Sequence, residues 1–392
     1  METLRRGVRD LDFTVLGVLL LLAVCGCVAV AAATHSSTDP YIPKHTVEKQ
    51  VIWEVVGVVL MLMATTFDYR SLKAKRWWLY GGSTLLLLVV FGFPSVQGAH
   101  SWINLKVISI QPSELAKLTL IIWLAGYMAD REEKGEPTNR LRDVWSIIPM
   151  TVVPFVLIFK EPALGQALVV VAIAMTMFTL FAKNSHFVLL MMFVAVIVVG
   201  FSLVALKFPE QSTSFINNVL VKHHILKAYQ VDRITTWLNP NYSTNNYGYN
   251  IHMSQIAVGS GQLFGEGLFN GIETNGGWVP NQWDDYIYTA IGEEFGFIGT
   301  AVVVMLFLML MHRFIRIAKT TEDAFGTYII IGITGMFSFQ VFENIGMDMY
   351  LSPSTGITLP FISYGGTSLA IDYLAVGLIL SVGLRRRRIR FE

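Results

Sequence analysis

The sequence predicts an all-α polytopic membrane protein, and three observations carry that reading. Of 392 residues, 53% are hydrophobic and only 15% charged, too little polar surface to coat a soluble globule of this size. Apolar runs that can cross roughly 30 Å of hydrocarbon, or nearly so, recur along the chain. Lys and Arg gather on alternate connections between those runs, as they do beside membrane helices.

About ten spans follow, near 13–34, 51–67, 77–95, 111–129, 145–159, 165–182, 187–206, 287–311, 325–347 and 367–384. The first holds Cys25 and Cys27, which point about 200° apart on a helix and so predict neither a disulfide nor a metal pair. It is too long for a removable signal peptide and lacks a small-residue cleavage site behind it, so it reads as a retained anchor. The runs at 51–67 and 145–159 are short or interrupted by Pro149 and Pro154, which a packed bundle tolerates when neighbours satisfy the freed backbone. The whole chain, 1–392, is read as one integral membrane domain.

With the N-terminus inside, twenty of the 29 Lys and Arg residues fall in the cytoplasm and eight outside. Both termini are therefore expected in the cytoplasm. A net charge of +1 gives no reason to expect nucleic acid, and the terminal RRRRIR reads as a stop-transfer anchor for anionic lipid.

One connection is long. Residues 207–286, between the seventh and eighth spans, form a large extracytoplasmic loop, and long structured loops carry function. Its stretch VLVKHHILKAYQ (219–230) is compatible with an amphipathic helix at the interface or a solvated surface helix. The Gly-rich segment 259–271 lacks a GKS/T ending. Its glycines permit either tight turns and close packing or backbone contact with a phosphate.

The loop ends in WVPNQWDDYIYTAIGEEFGFIG (278–299), which runs without a break into the apolar stretch 300–311. Carboxylates at the edge of hydrocarbon are expensive unless paired, solvated or useful, so Asp284, Asp285, Glu293 and Glu294 need a reason. In the fourth span QPSELAKL places Glu114 and Lys117 on one face. They either neutralise each other as a structural pair or present Lys117 to an anionic ligand, with AHSWINLKVISI (99–110) as the mouth of the cavity. Asp348 lies at the outer end of its span, where water can reach it. The run 352–368, with Pro353, Pro360 and Gly365–Gly366, predicts a non-helical segment that dips back toward the bundle.

QPSELAKL (111–118), ENIGM (343–347), TGITLPFISYGGTSLA (355–370) and VPNQWDDYIYTAIGEEFGFIG (279–299) together resemble the signatures of the SEDS family (shape, elongation, division, sporulation), which includes RodA, FtsW and SpoVE. Span count, loop position and motif order agree over nearly the whole chain, and the short tails and the FENIGM spelling are nearer to the RodA branch. The resemblance implies a peptidoglycan glycosyltransferase of the bacterial plasma membrane. It would polymerise lipid II, the polyprenyl-linked disaccharide-pentapeptide, onto a growing glycan strand outside the cytoplasm, in elongation. It also implies a partner, a class B penicillin-binding transpeptidase.

The family's essential aspartate, carried onto WDDYIY, falls on Asp285. Departures surround it: Trp283 and Asp284 stand where His and Thr are common, EPALGQAL (161–168) lacks the acid of the usual PDLGTAL, and Ser101 replaces a frequent Arg before Trp102.

A mechanism needs only a carboxylate base for the acceptor hydroxyl and a cation for the departing pyrophosphate. Asp285 is the expected base, with Asp284 beside it at the substrate. Trp102, Glu114, Lys117 and Arg233 are the other expected substrate contacts, Lys117 or Arg233 meeting the pyrophosphate. A divalent ion such as Mg²⁺ or Mn²⁺ suits so many acidic residues, but no spacing specifies one. The competing class is a lipid II flippase, because many spans and intramembrane charges describe transporters equally well.

Overall fold

The computed structural model describes residues 11–35, 42–94, 101–104, 109–135, 141–181, 207, 211, 228–238 and 247–385. Within them the chain forms α1 (Phe13–Thr34), α2 (Thr46–Thr66), α3 (Arg70–Val89), a two-stranded hairpin of β1 (Ile103–Asn104) and β2 (Ser109–Ile110), α4 (Pro112–Glu133), α5 (Leu141–Lys160) and α6 (Leu164–Phe181). After the expected seventh span come α7 (Ala228–Leu238), α8 (Tyr247–Ser260), the short α9 (Ile272–Gly276), α10 (Ile287–Lys319), α11 (Ala324–Asp348) and α12 (Gly366–Arg385).

The protein is an integral membrane protein. Among the described residues α1, α6, α10, α11 and α12 are long and apolar enough to cross a bilayer. Helices α2 to α5 occupy four further expected runs and carry charges that the bundle answers internally, as when Tyr373 of α12 donates to Glu54 of α2 at 2.6 Å. The expected span at 187–206 and the segment 219–227 lie outside the described residues.

Helix ends are tied by residues the sequence supplies locally. Asp12 starts α1, its carboxylate accepting from the Thr14 and Val15 amides at 3.1 and 3.3 Å, and it also meets Arg313 of α10 at 3.4 Å. Arg385, the first residue of the basic tail, donates to the last carbonyls of α2, Thr65 at 3.2 Å and Thr66 at 2.7 Å. A cation there also complements the negative end of the helix dipole.

The polar-to-apolar junction expected to run unbroken is broken at Gly296, whose φ of 64° and ψ of −160° interrupt α10. Beyond the break, the Phe297 and Ile298 amides donate to Gln262 and Leu263 carbonyls at 2.9 and 3.2 Å, and the Glu266 and Gly267 amides donate back to Glu293 and Glu294 at 2.9 and 3.1 Å. A Cβ on Gly265 would stand 2.1 Å from the Glu294 carbonyl oxygen. Close backbone packing thus accounts for this stretch of the Gly-rich segment. Glu293 has a structural use as well: its carboxylate accepts from the Glu273 and Thr274 amides of α9 at 2.7 and 2.9 Å.

Residues 353–365 contain no helix, yet Ile357, Leu359, Phe361 and Ile362 are buried in the main core. This segment re-enters the bundle between α11 and α12, as the prolines and glycines predict.

Candidate active site

Asp284 and Asp285 lie in the turn that leads into α10, fixed by the Asp284 and Tyr286 amides donating to the Asn281 carbonyl at 3.1 and 3.3 Å. Four residues from other elements clamp this turn. Asn344 of α11 donates to the Asp285 carbonyl at 2.7 Å and to the Ile357 carbonyl at 2.8 Å, joining the turn to the re-entrant segment. Ser363 donates to the Asp284 carbonyl at 2.7 Å, and the Tyr364 amide donates to the Trp283 carbonyl at 3.0 Å. The Tyr286 and Ser354 hydroxyls share a hydrogen bond of 2.8 Å.

Arg233 of α7 reaches the same place. Its Nη1 donates to the Ser354 carbonyl at 3.2 Å. Gly356, at φ 71°, marks where the two meet: a Cβ built there would lie 3.2 Å from Asp285 Oδ2 and 3.6 Å from Arg233 Nη1. A carboxylate and a guanidinium from residues 52 positions apart thus border one small space. Glycine is the residue that leaves it open.

The electrostatics divide the acidic pair. Both residues are half-buried, and Asp284 Oδ1 is enclosed without a hydrogen-bond partner. Burial first, then the Asp285 charge, pushes Asp284 well above the usual carboxylate range. Burial raises Asp285 too, but Arg233 works against the rise. Of the two, Asp285 is therefore the one whose rise a cation opposes, while Asp284 holds its proton more tightly.

Glu114 and Lys117 do meet each other, Nζ to Oε2 at 2.9 Å, and Lys117 also donates to Gln166 of α6 at 2.6 Å. Lys117 is fully enclosed, so in this packing it faces side chains and no open cavity. Asp372 of α12 lies within electrostatic range of both. The two clusters are one layer apart: Gly165, next to Gln166, abuts Thr355 and Ile357, the neighbours of Gly356.

Trp102 is half-buried beside the expected mouth. Ser101, where the family often has Arg, donates to the Glu161 carbonyl at 3.1 Å, and Thr367 at the start of α12 donates to Ser109 of the hairpin at 2.6 Å. The turn that lacks the usual acid at Ala163 carries one two residues earlier. Burial pushes the Glu161 carboxyl up to about 8. Asp348, expected to be wet, is instead 1% exposed.

Among the described residues no three Asp, Glu, His or Cys side chains gather as a metal site. Sequence reasoning singled out Asp285 and Arg233 but not Asn344, Ser354, Gly356 or Ser363. These are uncharged residues whose use depends on contacts across the fold.

Known proteins agree with this architecture. The FtsW/RodA/SpoVE family of cell cycle proteins matches residues 12–388. The peptidoglycan glycosyltransferase RodA of Treponema pallidum is 31% identical, with 97% of this chain and 99% of that protein covered. Stage V sporulation protein E of Bacillus subtilis is 32% identical over 95% and 96%.

Among solved structures, a peptidoglycan synthase complex that coordinates polymerization and crosslinking is similar at 25% identity with a TM-score of 0.77, covering 96% of this chain and 98% of that one. The rod shape determining protein RodA of Thermus thermophilus shares the fold at a TM-score of 0.66 and 24% identity, over 96% and 98%. With the family matched from residue 12 to residue 388 and relatives aligned nearly end to end, the chain belongs to the FtsW/RodA/SpoVE family.

Proposed function

We propose that this peptidoglycan glycosyltransferase polymerises lipid II by inverting transfer, with Asp285 as general base and Arg233 as the cation that receives the pyrophosphate. The acceptor's GlcNAc 4-hydroxyl attacks the anomeric carbon of the donor's MurNAc. Asp285 takes the hydroxyl proton, the new β-1,4 bond forms, and the bond to polyprenyl pyrophosphate breaks with both electrons going to the leaving group. General base catalysis typically contributes about 10²–10⁴-fold. A guanidinium at the developing pyrophosphate stabilises charge where it appears and can do so bidentately.

The observation that carries this reading is the meeting of Asp285 and Arg233 around Gly356. It supports a base and a cation side by side where sugar and pyrophosphate would part. Lys117 is held by Glu114 and Gln166, so its contribution is to the scaffold behind that space. The strand acceptor and Trp102 would occupy the mouth formed by the hairpin. The site would face outward with both termini in the cytoplasm, in line with the excess of Lys and Arg on the opposite side. The similarity to a synthase complex supports a class B penicillin-binding transpeptidase as partner, and the RodA relative supports a role in elongation.

The test is glycan synthesis from purified lipid II by the detergent-solubilised protein with that partner. Asp285→Asn should abolish polymer, a loss of at least about 10²-fold, while Asp284→Asn retains it. Polymer from Asp285→Asn near the wild-type rate would overturn the assignment. Movement of labelled lipid II between leaflets with no polymer from the wild type would assign the chain to the flippase class.

A further inference from the structure

The first turns of α3 hold a basic hollow that the transfer reaction does not use. Arg70, Lys73 and Arg76 follow one another at steps of three residues and so lie along one side of the helix. With Trp77, and with Asp130 of α4, they line an open pocket of about 460 Å³. Asp130 orders it, meeting Lys73 at 3.0 Å and Arg76 at 2.6 Å, and Glu133 holds Lys73 at 2.7 Å. Arg76 lies against Gly126, where a Cβ would stand 2.8 Å from its Nη1. That nitrogen is enclosed without a hydrogen-bond partner, a donor still in need of an acceptor. Three cations against two carboxylates leave the cluster with one positive charge in excess.

The pocket lies at the end of the bundle that carries Asp12 and Arg385. Arg385 is 3.8 Å from Asp68, two residues before Arg70, and Tyr69 donates to Asp323, the residue that starts α11, at 2.8 Å.

The surface around the pocket is apolar. Trp77 at its edge is 53% exposed and Trp78 beside it 85%, as aromatic residues are at the level of lipid headgroups. Further along α3, Gly81 and Gly82 have nothing within 4 Å of where a Cβ would be, and Leu85, Leu88 and Val89 continue the exposed surface. Trp78, Gly82, Leu85 and Val89 share one face of the helix, so the glycine hollows a shallow apolar track that leads away from the cations.

We propose that this pocket is a binding site for an anionic phospholipid, whose phosphate is held by Arg70, Lys73 and Arg76 and whose acyl chain lies in the track beside Gly82. A guanidinium recognises a phosphate diester through paired N–H donors, and the single excess positive charge matches its single negative one. With both termini inside, this end of α3 borders the cytoplasmic leaflet, whose anionic lipids attract basic clusters. A free anion would use the cations but has no use for the tryptophans or the track. The site is separate from Asp285, and its assignment does not depend on the catalytic one.

The test is native mass spectrometry of the full chain in detergent, titrated with phosphatidylglycerol and with phosphatidylcholine of the same acyl chains. A cation beside an anionic headgroup contributes about fivefold in affinity. Arg70→Gln should therefore weaken phosphatidylglycerol binding about fivefold and leave phosphatidylcholine unchanged. Arg316→Gln, which removes an exposed cation of α10 outside the pocket, should change neither. Gly82→Leu fills the track without meeting any part of the protein and should weaken phosphatidylglycerol several-fold, so the test stands even if Arg70→Gln lowers the melting temperature.

Equal affinity for the two lipids would overturn the proposal, as would wild-type affinity for phosphatidylglycerol in folded Arg70→Gln or in Gly82→Leu. Displacement of the lipid by inorganic phosphate would overturn it too, because the pocket would then take a free anion that needs no track.

Discussion

Asn344 decides how well Asp285 is aimed. Its amide donates to two main-chain carbonyls, one on the turn and one on the re-entrant segment, and no other residue type offers two donors in that fork at that length. Removing it leaves two buried acceptors unpaired, which costs roughly 1–3 kcal/mol for each group left unsatisfied. The larger effect should be on chemistry, because a base displaced by about 1 Å can lose on the order of 10²-fold. Asn344→Ala should therefore lower kcat much more than it raises KM for lipid II. A fall confined to KM would mean that the clamp serves binding and that Asp285 finds its place without it. Nothing in the sequence marks Asn344 apart from its place in ENIGM. Its function exists only where α11, the Asp285 turn and the re-entrant segment converge, and that convergence is not a local property of any of the three.

At the level of elements, the break in α10 separates a polar half that carries the site from an apolar half that crosses the membrane. The segment 261–267 holds the break open by backbone pairing, and Gly265 is where side chains must be absent. Its φ is 81°, and a Cβ there would meet the Glu294 carbonyl oxygen at 2.1 Å. The left-handed conformation alone costs a non-glycine residue roughly 1–2 kcal/mol, and the clash forces the pairing apart in addition. Gly265→Ala should lower the melting temperature in detergent and release α9, whereas Gly259→Ala, with nothing within 4 Å of its Cβ, should leave it unchanged or raise it. Equal melting temperatures for the two variants would mean that the loop does not brace the kink.

The apolar pattern foretold the helices around this break, because spanning runs are long and their composition extreme. The break was hidden, since Gly296 in FGFIG reads as part of a continuous helix and the residues that pair with Phe297 and Ile298 lie 35 positions earlier. The same holds for Arg233 and Asp285: each residue type suggested its chemistry, but their meeting depends on Ser354 and Gly356, more than 50 residues further on.

For the bundle as a whole, the central question is what a fully enclosed Lys117 contributes. It joins α4 to α6 through Gln166 and pairs with Glu114 on its own helix, while Asp372 brings α12 into range. Glu114 and Lys117 neutralise each other at 2.9 Å, so Lys117 is what makes the Glu114 carboxylate tolerable in hydrocarbon. Because Gly165 presses against Thr355 and Ile357, any shift of α6 relative to α4 is passed to the residues that flank Gly356.

Lys117→Met should thus act through stability first: breaking a buried pair by removing one partner typically costs about 3–5 kcal/mol, since the other charge stays behind. Glu114→Gln combined with Lys117→Met removes both members and should recover a large part of the lost stability, measured as the unfolding midpoint in detergent, with polymerisation recovering in parallel. A scaffold role requires that parallel. If the double variant regains its stability and still makes no glycan, Lys117 acts on the substrate itself, and the enclosed position seen here belongs to a state that opens before the sugar is bound.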